Sequence, residues 1–193
     1  IEKKLIHFSI YINYNLQQLR DVTKKLGLTL ATLHSAVAQL DLFMDAHRLR
    51  SDRLTHVALA CLSLGLSIKQ FYNTLPPIQK FSRAPTLKTL SKVSGVQLCG
   101  KTFRQLEWMV GQHVRWRLLA PTPVTFAALL AQYVITDSDL TTRHPKFVRR
   151  FKRDGAKLLE AYLDLTLSGE LLLFPSKVVI SLILLKKTLL HTG

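Results

Sequence analysis

Apolar residues recur with a helical period along almost all of the 193-residue chain. Leu33, Ala36, Val37, Leu40, Phe43 and Met44 follow i, i+3, i+4, i+7 spacing, the stripe of an amphipathic helix. Leu54 to Ile68 is apolar on nearly every side, which predicts a helix enclosed by neighbours at the centre of a bundle. Ser51 and Asp52 stand before it as candidate N-caps. From Gln70 to Gly100, Asn73, Pro76, Pro77, Pro85 and Gly95 mark loops around one short helix near Leu87 to Val93. A long helix is expected from Lys101 to Arg117, stopped by Pro121 and Pro123, with another from Val124 to Val134. A further helix resumes near Pro145, carries Val148, Phe151, Leu158, Leu159 and Tyr162 on one face, and ends at Gly169. Pro175 then opens the last helix. Nothing alternates with the period of a strand, so the chain reads as all-α.

Charge adds a constraint on partners. Lys and Arg number 27 against 12 Asp and Glu, a net charge of +15. Such a field speeds encounter with acidic proteins, nucleic acid or anionic lipid without choosing among them. Its densest run is Lys146, Arg149, Arg150, Lys152 and Arg153, whose interleaved Phe147 and Phe151 fit the buried stripe. That run reads first as a solvated basic face and second as a contact for an acidic protein or phosphates. Cys61 and Cys99 sit in apolar contexts without metal-ligand spacing and are expected to be small buried hydrophobes. The apolar stretch Leu171 to Leu190 is interrupted by Pro175, Lys177, Lys186 and Lys187. It falls short of a membrane span and predicts a buried core helix. No phosphate loop, nucleophile elbow or catalytic carboxylate pair is present, and no motif calls for a cofactor, so the pattern points to a binding protein. The ends, Ile1 and Gly193, read as those of a segment of a longer protein.

Four motifs in order resemble the cyclin family. Residues 32–45, Thr32 through Asp45, are similar to the second helix of a cyclin box, and their run Leu40-Asp41-Leu42-Phe43-Met44-Asp45 resembles the cyclin J branch. Val57 to Leu62 is similar to the central third helix. Leu106-Glu107 through Pro121-Thr122 resembles the fifth helix and the linker into a second box. Phe174-Pro175-Ser176 and the apolar helix after it resemble the third helix of that box.

The resemblance implies a cyclin fold of tandem helical bundles, a first box over 1–118 and a partial second box over 119–193. The second box would lack its last two helices and leave Val178, Val179, Leu182, Ile183 and Leu185 partly uncovered. It also implies a regulatory subunit that binds and activates a cyclin-dependent kinase in cell-cycle control, in the nucleus or also the cytoplasm. The family's kinase-facing positions correspond here to Leu64, Gly65, Ile68, Glu107, Trp108, Gly111, Trp116 and Leu118. Trp108, beside Glu107, is expected at the interface and Trp116 half in the core. Two departures stand out. The family's lysine late in the third helix is Ser67 here, and Lys69 lies about 200° further round the helix. The substrate-docking motif of cell-cycle cyclins is replaced by Tyr11 to Asn15, and its tryptophan by Gln18. The alternative is a cyclin-fold scaffold for nucleic acid or another regulatory protein, as in proteins of the transcription factor IIB type.

Overall fold

The computed structural model describes residues 15–47, 49–71, 85–118, 120–134, 157 and 159–167. All secondary structure among the described residues is helical: α1 (15–25), α2 (Leu30–Ala46), α3 (Ser51–Phe71), α4 (Leu87–Ser94), α5 (Gly100–His113), α6 (Pro123–Val134) and α7 (159–166). The chain divides into two compact units, Ile1–Ala120 and Pro121–Gly193.

In the first unit α3 is the centre, with α2 and α5 packed against it. Leu54, Val57, Ala58, Leu59, Ala60, Cys61, Leu62, Leu64 and Leu66 are all buried, as expected of a helix apolar all round. Removing most of one such leucine would cost about 2–5 kcal/mol, because the cavity collapses only in part. The α2 stripe is also inward: Leu33, Ala36, Val37, Leu40 and Phe43 are buried. Polar contacts tie the outer helices to this core. Thr55 Oγ1 on α3 donates to Asn15 Oδ1 on α1 at 2.8 Å, and Gln18 Nε2 donates to the Ser94 carbonyl at the end of α4 at 3.3 Å.

Local chemistry sets the helix ends. The Thr29 hydroxyl accepts from the Thr32 N–H and starts α2, and Thr86 does the same for α4 through Thr89. α1 ends in a Schellman motif: the Leu28 N–H donates to the Thr23 carbonyl (2.9 Å) and the Gly27 N–H to that of Lys24 (3.2 Å). Gly27 takes the left-handed position with φ 63°. Gly95 closes α4 in the same region, φ 71°.

Three expectations need correction. α3 begins at Ser51, so Ser51 and Asp52 occupy its first turn rather than cap it; the Asp52 carboxylate there complements the helix dipole. Cys99 is exposed, because it sits at the N-cap of α5, outside the packed face; Cys61 is buried and both thiols are free. α5 stops at His113 instead of running to Arg117, for a reason that belongs to the site below.

In the second unit, Pro123 takes the first helical position of α6, where its missing N–H costs nothing. Leu163, Thr166 and Leu167 of α7 and its end are buried, with the Thr166 hydroxyl donating to the Leu163 carbonyl at 2.7 Å. Leu159 and Tyr162 are partly buried. The basic run 146–153, the helix after Pro175 and the face from Val178 to Leu185 lie outside the described residues.

Candidate functional site: an aromatic turn at the end of helix α5

α5 ends with the same hydrogen-bond pattern as α1 but different residues. The Trp116 N–H donates to the Gly111 carbonyl at 2.8 Å and the Arg115 N–H to the Gln112 carbonyl at 3.0 Å. This is again a Schellman motif, with Arg115 where α1 has Gly27. Arg115 has φ 52° and Trp116 φ 56°, the two non-glycine residues with positive φ among those described. Left-handed backbone costs an L-residue about 1–2 kcal/mol. Both ends of the turn are therefore held by packing.

Gly111 supplies one hold. A Cβ on Gly111 would lie 2.6–2.9 Å from three carbons of the Trp116 ring, so the ring rests directly on the helix where a side chain is missing. The cyclin resemblance places Gly111 among the partner-facing positions. Instead it is buried beneath Trp116, which fills the place. Trp108, one turn earlier on α5, meets the same ring edge-to-face, centroids 5.2 Å apart at 65°. The other hold is the segment that leaves the turn. Leu118 is buried, and its carbonyl accepts from Ser35 Oγ on α2 (3.2 Å), which in turn accepts from Gln39 Nε2 (3.2 Å).

The result is a rigid aromatic surface. Trp108 is 57% and Trp116 48% exposed, and these are the only tryptophans of the chain. Glu107 is half-buried beside them. The remaining expected positions separate from this group. Leu64 and Gly65 are buried, Gly65 facing Thr32 and Ser35 of α2, so they support the site from within the bundle. Leu118 does the same from the segment after the turn. The side chain of Ile68, in the last turn of α3, lies outside the described residues.

Two neighbouring features were not legible in advance. Met109, 49% exposed, lines an apolar cleft of about 320 Å³ with Phe43, Leu49, Arg53, Val57, Thr102, Gln105 and Leu106. His113, in the last turn of α5, joins its ring to the Leu42 carbonyl (3.1 Å) and packs against Phe43 and His47 at 5.5 and 4.9 Å. Among the described residues no cluster of three or more His, Cys, Asp or Glu could hold a metal, and no helix is long and apolar enough to cross a membrane.

No family model matches the chain. Two curated relatives are similar to it. Cyclin-J of Xenopus laevis is 25% identical over 153 residues, which is 79% of this chain and 39% of that protein. Cyclin-J of Homo sapiens is 24% identical over 147 residues, 76% of this chain and 38% of that protein. The chain thus spans about two-fifths of the length of the relatives it matches. An all-helical bundle around a largely apolar third helix, and similarity along three quarters of the chain, make this chain similar to cyclin J, with an all-α fold of the cyclin kind.

Proposed function

We propose that this chain is a cyclin-like regulatory subunit, without catalysis of its own, that binds a cyclin-dependent kinase and biases it toward its active state in the nucleus. The observation that carries this reading is the exposed Trp108–Trp116 pair with Glu107 beside it, on α5 and the turn after it, at the positions the cyclin resemblance assigns to the kinase. Rigid aromatic anchors next to a half-buried carboxylate are the composition of a binding hot spot. Activation by docking needs only a difference in affinity between two kinase conformations, which such a surface can supply.

The test is binding and activity against a panel of purified cyclin-dependent kinases. Glu107→Ala and Trp108→Ala should each weaken binding about tenfold or more, since loss of an aromatic anchor or a bonded charge removes about 2 kcal/mol. Circular dichroism controls for folding. Ser67→Lys, which restores the family's lysine on α3, should tighten the complex. A kinase that binds both alanine variants at full affinity, or a panel in which none binds, ends this reading.

A further inference from the structure

A kinase surface does not account for what surrounds the tryptophans. On α5, Lys101, Arg104 and Trp108 follow i, i+3, i+7 spacing and share one exposed face. Arg115 and Arg117 flank Trp116 in the turn, and both are exposed. Glu107, at the edge, is the single acidic residue from Gly100 to Ala120. The strip is therefore aromatic and cationic, about 20 Å long at 1.5 Å per helical residue. It belongs to a chain of net charge +15.

We propose that this strip binds single-stranded nucleic acid, with bases stacked on Trp108 and Trp116 and phosphates paired with Lys101, Arg104, Arg115 and Arg117. Stacking platforms need ring faces that are exposed and fixed before binding. Here the Gly111 seat and the edge-to-face contact fix them, and both tryptophans are about half exposed. Any base offers a π-face, so the site discriminates little between sequences. Exposed rings on α5 and on the turn after it also suit a flexible single strand better than a duplex, whose bases are already stacked. A purely acidic polypeptide would satisfy the cations but leave two tryptophan faces unused. The basic run 146–153, which lies outside the described residues, is not part of this proposal. The strip shares α5 with the proposed kinase surface, so kinase and nucleic acid compete for it.

The chain offers its own probe, because its only two tryptophans are the ones in the site. The purified chain is titrated with a short single-stranded oligothymidylate and with oligouridylate, with a duplex and polyglutamate as comparisons. Single strands should quench tryptophan emission saturably. Their affinity should fall with salt with a slope near 0.7 per phosphate neutralised, about 3 for the four cations. Trp108→Ala or Trp116→Ala should weaken binding about five-fold or more, while phenylalanine at either position preserves most of it and guards against misfolding. Lys101→Gln and Arg104→Gln should each lower the salt slope by about 0.7. Glu107→Ala leaves oligonucleotide binding intact while weakening a kinase, which keeps the two readings apart. Quenching by polyglutamate to the same extent would assign the strip to acidic proteins. Binding without quenching, abolished by Arg149→Gln and Arg150→Gln, would assign it to the basic run. Either result, or no binding, overturns the proposal.

Discussion

Replacing Gly111 by alanine should unseat Trp116 while leaving the stability of the fold almost unchanged. The added Cβ would stand 2.6, 2.7 and 2.9 Å from ring carbons of Trp116, where carbon contacts are comfortable at about 3.5–4.0 Å. The ring is the outer end of a half-exposed side chain, so it can tilt away by about 1 Å rather than strain the helix. That movement forfeits the edge-to-face contact with Trp108, worth about 0.5–1.5 kcal/mol. Against it, alanine is better than glycine inside a helix by about 0.8–1.0 kcal/mol. The two nearly cancel, and denaturant unfolding should shift by less than about 1 kcal/mol. The optical signature should not be so forgiving. Coupling between two close indoles produces a circular dichroism couplet that Gly111→Ala should abolish, as Trp108→Phe would. A retained couplet would show that the ring does not rest on Gly111. A loss of more than about 3 kcal/mol, the upper end for overpacking, would show that the ring is clamped and cannot yield.

Two further outcomes follow from the same helix. Arg115→Gly should stabilise the chain by about 0.5–1 kcal/mol in thermal or urea unfolding, because glycine relieves the left-handed penalty but loses more chain entropy on folding; a destabilised variant would mean that the Arg115 side chain holds the turn. Cys99 makes no side-chain cap hydrogen bond, but the Thr102 N–H, the Thr102 hydroxyl and the Lys101 N–H hold its thiol below the ordinary value, whereas burial pushes that of Cys61 up. A lowered pKa keeps thiolate present as pH falls, so native-state alkylation should modify Cys99 alone and persist to lower pH than for a free cysteine thiol. Labelling of Cys61 at a comparable rate would place it at the surface.

What the sequence determined by itself was the arrangement of apolar surface. α3 was recognisable as the central helix because Leu54 to Ile68 is apolar on nearly every side, and the burial of its apolar side chains from Leu54 to Leu66 is the consequence. The α2 stripe and the short α4 followed from period and punctuation for the same reason: local patterns that encode which side of a helix must be dry. The end of α5 could not be found that way. Nothing between Gln112 and Ala120 breaks a helix, and the periodicity runs on to Arg117. The helix stops because Trp116 gains Gly111 and Trp108 as a seat and Ser35 on α2 catches the Leu118 carbonyl. The contacts with Trp108 and Gly111 lie five to eight residues back, and that with Ser35 lies 83 residues away. They outweigh the left-handed cost of Arg115 and Trp116 only once the bundle has formed. For the same reason, sequence could propose Leu64, Gly65 and Leu118 for a surface, but only packing decided that they lie beneath it. Which residues are apolar is a property of the chain; which of them face a partner is settled by the neighbours that cover the others.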